Sequence, residues 1–92
     1  MAMAKAKYNL VTTTRTTAGA ESQYVNPLGS VETDGMEDVI LAWCIIDYSN
    51  ALMKKLRSEG YKVANVEDYQ DFQWRKITLS DGTTMTITTQ AA

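Results

Sequence analysis

Hydrophobic and polar positions divide the chain into a stretch of helical period followed and preceded by stretches of strand period. From Asp34 to Gly60, Leu41, Ile45, Leu52 and Leu56 fall in one narrow stripe at ~100° per residue, flanked by Ala42, Tyr48, Ser49 and Met53. That stripe predicts the core face of one long helix. Its ends are marked as well. Asp34 with Glu37 three residues on makes an Asp variant of the capping box, and Glu37 and Asp38 suit the positive end of the helix dipole. Lys54, Lys55 and Arg57 suit the negative end, and Gly60 is placed to adopt the left-handed conformation that ends helices.

The side of this helix away from the stripe is polar only in its second half, at Asn50, Lys54, Lys55, Arg57 and Ser58. Its first half carries Met36, Ile40, Trp43 and Cys44, with Asp47 the one polar exception. A helix apolar all round is a covered helix. Residues 36–44 are therefore expected to be covered twice, once by a sheet and once by the 18–33 segment or by another chain.

Strand patterns lie on both sides. Tyr8 to Thr17 is rich in β-branched residues but mostly threonine on both alternating sets, which suits an edge strand. Residues 18–33 read as a long loop, with Asn26-Pro27-Leu28-Gly29 as a type I turn and Gln23 to Val25 as at most a short strand. Tyr61 to Val66 alternates as a short strand, Glu67 to Asp71 reads as an acidic turn, and Phe72 to Thr89 reads as a hairpin. A three-residue Ser80-Asp81-Gly82 loop pairs Leu79 with Thr83 and Ile77 with Met85. It gathers Ile77, Leu79, Met85 and Ile87 on one face and leaves Phe72, Trp74, Lys76, Thr78, Thr84, Thr86 and Thr88 on the other. A two-residue Asp81-Gly82 turn would mix the faces. The expected fold is α+β in the order β-α-β-β-β: one long helix packed on a three- or four-stranded, mostly antiparallel sheet. The 92 residues make a single domain, with 1–7 and 90–92 expected to fray.

Composition narrows the chemistry. There is no histidine and one cysteine, so a thiolate nucleophile lacks its usual base, and tetrahedral zinc lacks ligands. Cys44, among Trp43, Ile45 and Ile46, reads as a small apolar residue, and a reducing cytoplasm is the expected location. The longest apolar run, Val39 to Ile46, is eight residues against the ~20 of a membrane helix. Glu67, Asp68 and Asp71 match no known calcium-loop spacing, and no glycine cluster is left for phosphate. No cofactor, metal or catalytic residue is expected, and the chain is read as no enzyme.

Net charge is −2, the reverse of a phosphate-binding balance. No basic residue lies between Arg15 and Lys54, while Lys54 to Lys62 holds four basic residues against one acidic. Phe72, Trp74, Arg75 and Lys76 interleave aromatic and basic residues, the pattern with which some sheets stack single-stranded bases. The acidic total weighs against it, and Trp74 is expected instead to pack under the N-terminal strand or against a partner. The threonine rows suit a wet sheet face. Small size, acidity and lack of histidine are shared by many phage-encoded accessory and inhibitor proteins that bind and block a host enzyme, a likeness of composition alone. The expected function is a protein-interaction module that self-associates, a dimer being the simplest case, with Met36, Ile40 and Trp43 as anchors and Trp74 as a second candidate. An assembly subunit and a single-stranded nucleic-acid-binding domain using the Phe72/Trp74 face are the alternatives.

Overall fold

The computed structural model of the chain describes residues 5–32 and 35–92. The elements run β1 (Lys5–Arg15), β2 (Glu21–Glu32), α1 (Glu37–Ser58), β3 (Val63–Tyr69), β4 (Trp74–Leu79) and β5 (Thr84–Ala91). The five strands form one antiparallel sheet in the order β2-β1-β5-β4-β3, and α1 lies on one face of it, mainly across β4 and β5. The class is the expected α+β. The strand count and order are corrected to five and β-β-α-β-β-β.

The correction comes from residues 18–33. Thr17-Ala18-Gly19 closes a hairpin in which the Thr16 N–H donates to the Ala20 carbonyl at 2.9 Å and Gly19 takes φ 90°. From there β2 pairs along the whole of β1. Pro27 and Gly29 do not make a turn. They sit at a β-bulge, where the register slips between Tyr8 and Asn9 and Gly29 has φ 74°. An edge strand tolerates both a residue without an N–H and a bulge. Because β2 takes the edge, β1 is an interior strand; of the ends expected to fray, Lys5 to Lys7 and Gln90 to Ala91 lie within paired strands, and residues 1–4 lie outside the described residues.

The helix follows its expected stripe: Leu41, Ala42, Ile45, Ser49, Met53 and Leu56 are buried. Asp34 lies outside the described residues, and Met36 at the N-cap makes no side-chain cap. The C-terminus closes as a Schellman motif, with the Gly60 N–H on the Arg57 carbonyl at 3.1 Å and the Tyr61 N–H on the Leu56 carbonyl at 3.0 Å. The core joins Leu10 of β1, Ile45, Met53 and Leu56 of α1, Ile77 and Leu79 of β4 and Ile87 of β5. One polar latch crosses this interface. Arg75 grips Asp68 through two donors, Nε to Oδ1 at 2.6 Å and Nη2 to Oδ2 at 3.2 Å. Its Nη1 also donates to the Oγ of fully buried Ser49 at 2.8 Å. The latch pairs the two charges across β3 and β4 and ties the middle of α1 to them.

The β4–β5 hairpin has the three-residue loop. The Leu79 N–H donates to the Thr83 carbonyl at 2.8 Å, Ile77 pairs with Met85, and Gly82 is left-handed at φ 91°. Asp81 Oδ1 accepts from the Thr83 N–H at 2.9 Å, which holds its carboxyl below the usual range. Of the stretch read as an acidic turn, Glu67 to Tyr69 is instead the end of β3, where Asp68 has Arg75 opposite it and Glu67 has Lys76, while Gln70 and Asp71 do turn. The turn falls later, at Gln70, Asp71 and Phe72, all left-handed at φ 51°, 56° and 67°. Non-glycine residues hold this conformation at a cost of about 1–2 kcal/mol each. It is offset by the stacking of Tyr69 on Trp74 and by Gln73, whose side chain donates to the Asp38 carbonyl at 3.0 Å.

Two substitutions test these assignments. A Cβ at Gly82 would meet Thr17 Cγ2 at 2.5 Å, whereas one at Gly19 would meet nothing within 4 Å. Both positions carry the left-handed penalty, so Gly82→Ala should lower unfolding free energy by more than Gly19→Ala, which should cost about 1 kcal/mol. Thr12 Oγ1 is buried without a hydrogen-bond partner. Thr12→Val should therefore raise stability by about 1 kcal/mol, readable as a shift in the urea midpoint.

Candidate functional site

The outward face of α1 is where the chain departs from an ordinary surface. Met36, Val39 and Trp43 are exposed to 58%, 55% and 60%. With half-buried Ile40 between them and half-buried Ile46 at the flank, they follow the i, i+3, i+4, i+7 spacing of one helical stripe. The core needs only the opposite stripe, centred on fully buried Ile45. The 18–33 segment does not cover the outward stripe, because it is β2 at the far edge of the sheet. Three of the four sequence-derived anchors, Met36, Ile40 and Trp43, are thus brought together. Glu37, Asp38 and Asp47 border them along the same helix.

Trp74 is not part of that patch. It lies on the face of the sheet away from α1, where its ring stacks on Tyr69 with centroids 4.0 Å apart and planes at 13°. It does not pack under β1, from which β5 separates it. Phe72 sits in the left-handed turn and not on the strand face expected for it. Tyr69, which sequence reasoning passed over by ending the strand at Val66, takes its place beside Trp74.

The rest of that helix-free face is built in three rows across the sheet. Tyr69, Trp74, Thr88, Val11 and Val25 form one; Glu67, Lys76, Thr86, Thr13 and Gln23 the next; Asn65, Thr78, Thr84, Arg15 and Glu21 the third. Its cations are matched locally. Arg15 donates to Glu21 Oε2 from Nε at 3.0 Å and from Nη2 at 2.5 Å. Lys76 faces Glu67 across the strands, and Glu67 also accepts from Asn65 Nδ2 at 2.8 Å and from the Tyr69 hydroxyl. That last bond, with burial and the Glu67 charge behind it, pushes the Tyr69 phenol up from its ordinary value.

A second concave feature lies beside the helix. Since α1 rests on β4 and β5, the same face of β1 and β2 is left open as a groove of about 530 Å³. Its walls are Tyr48, Ala51, Leu52 and Lys55 of α1, Thr12 and Thr14 of β1, Tyr24 and Asn26 of β2, and Met85 of β5. Lys55 is the charged member, and no carboxylate pairs with it among the described residues. This groove could not be seen from the sequence, because β2 itself was missed.

Among the described residues no three His, Cys, Asp or Glu side chains come together to hold a metal ion, and no helix is long and apolar enough to cross a membrane. Glu67 and Asp68, neighbours in sequence, serve opposite faces of the sheet. Cys44 is half-buried on the flank of the exposed stripe. Burial and the nearby Asp47 charge both push its thiol up from the ordinary value. The neutral thiol is therefore the favoured form, and the folded state loses ground as pH rises past the ordinary thiol range. Alkylation of Cys44 by iodoacetamide should follow a pH–rate curve displaced upward from that of the unfolded chain. Asp47→Asn should move the curve part of the way back. No protein-family model, curated protein or solved structure matches this chain.

Proposed function

We propose that this chain is a non-enzymatic protein-interaction module that associates with copies of itself through the outward stripe of α1. The single observation that carries the reading is the exposure of Met36, Val39 and Trp43 in one helical row. Burying each such side chain is worth about 1.5–3 kcal/mol, against a total stability of about 5–10 kcal/mol for a domain of this size. Three of them in water represent a large unused gain. Trp and Met are also the residue types that interfaces concentrate.

The free sheet edges support the helix as the contact surface by being poor alternatives. β2 has Glu21 and Glu32 at its ends and a proline and a bulge in its middle. Two β2 strands could not pair evenly through that proline and bulge. β3 is short and carries Glu67 and Asp68. Both are the devices by which edges are kept from pairing. The nucleic-acid reading has less behind it, since Arg15 and Lys76 each face a carboxylate and one side of the Trp74 ring is taken by Tyr69. A reducing, cytoplasmic setting fits a single thiol kept protonated.

Sedimentation equilibrium of the wild-type chain across about 1–100 µM should give a mass rising above that of one chain. Trp43→Glu should return it to a monomer with unchanged far-UV circular dichroism, as position 43 is outside the core. A wild-type chain that stays monomeric at the top of this range would end the proposal.

A further inference from the structure

The stripe and the groove are two surfaces without a shared residue. Trp43 and Lys55 are about 120° apart around α1 and roughly 18 Å apart along it. A two-fold contact that joins stripe to stripe would leave the groove empty; one that joins stripe to groove would use both. Resting on the self-association reading above, we propose that the contact is head-to-tail: the Trp43 ridge of one copy seats in the groove between α1 and the β1–β2 hairpin of the next.

Three features match. First, shape: Trp43 and Val39 are convex and exposed, and the groove of about 530 Å³ falls within the ~300–1,000 Å³ of sites that take bodies larger than an indole ring. Second, surface chemistry: Tyr24 and Tyr48 bring aromatic rings to the lining, and Leu52 and Met85 add apolar wall, to which an aromatic side chain packs well. Third, charge: Glu37, Asp38 and Asp47 border the ridge, while Lys55 lines the groove. The charge segregation along α1, acidic in front and basic behind, complements the helix dipole within one chain. Between chains it sets the acidic border of the ridge against Lys55 of the groove, which favours this orientation and makes it salt-sensitive.

A heterologous contact does not satisfy itself in a pair. It continues until a ring closes or a filament grows. The wild-type chain should therefore pass beyond the dimer as concentration rises, and salt should reverse this.

The decisive experiment uses two variants of the full chain. Trp43→Glu removes the ridge; Ala51→Glu, at an exposed helix position lining the groove, blocks the groove and offers Lys55 an i, i+4 partner. Both positions are solvent-facing, and thermal unfolding with circular dichroism verifies that each variant folds. Each alone should be monomeric, with association weakened on the order of 30-fold or more. Mixed one to one, they should form a dimer and nothing larger, since each mixed pair keeps one intact ridge and one intact groove. If Ala51→Glu alone still associates as the wild type does, the contact is stripe to stripe and the head-to-tail inference is overturned while self-association stands. If both variants are monomeric and their mixture is too, the head-to-tail contact is likewise overturned. A monomeric wild-type chain overturns self-association itself.

Discussion

One α-helix, about 10 Å across, has to serve a sheet whose five strands span roughly 20 Å. That mismatch governs the rest of the molecule. α1 covers β4 and β5, and its fully buried Ile45 joins the fully buried Ile77 and Ile87 beneath it. The uncovered width has to be tolerable in water, and Thr12 and Thr14 of β1 help make it so, supplying β-branched shape with a hydroxyl. Thr12 shows the boundary of the arrangement: it lies deep enough to be buried and still has a hydroxyl without a partner. The groove between α1 and the β1–β2 hairpin is the space that a second helix would fill in a two-helix version of this architecture. Arg75, stretched from Asp68 to Ser49, fixes the lateral position of the helix, so the groove keeps its width.

Elements whose apolar positions repeat with a clear period were readable from residues alone. The buried stripe of α1, its glycine stop at Gly60 and the register at Ser80-Asp81-Gly82 all follow from side-chain alternation and from the one residue type that accepts positive φ. β2 failed for a physical reason. Its residues are exposed on nearly every position, so there is no buried face to impose a period of two, and Pro27 and Gly29 imitate a turn. A usable signal was present nonetheless. Thr17-Ala18-Gly19 is the same three-residue loop as Ser80-Asp81-Gly82, with glycine last and left-handed, and it sits where Thr-rich sequence gives way to Gln23-Tyr24-Val25. Taking one hairpin as a template for the other would have placed β2 and turned β1 from an edge strand into an interior one.

The acidic stretch at Glu67 to Asp71 illustrates the opposite limit. Charge content suggests a turn, but a strand can hold carboxylates where the neighbouring strand supplies partners, and β4 supplies Arg75 to one face and Lys76 to the other. Local composition cannot encode a partner that arrives from another strand. The candidate site divides in the same way. Met36, Ile40 and Trp43 were legible together because one helix carries them all. Trp74 was misplaced because its neighbour is set by the β3–β4 register, and that register depends on three left-handed residues at a turn with no glycine in it.

The outward stripe of α1 lies outside the core cluster, so the proposed association would draw on residues that folding does not use. Leu41, Ile45, Met53 and Leu56 hold the helix down, while Met36, Val39 and Trp43 on its other side are free of that task. Under the proposed association such a chain would fold first, with the ridge and the groove complete in each copy before any contact forms. With β2 and β3 both guarded at their free edges, sheet-to-sheet pairing is a poor competitor. The contact proposed above is instead one between side chains, whose strength charge can tune and whose formation would leave the fold of each copy intact.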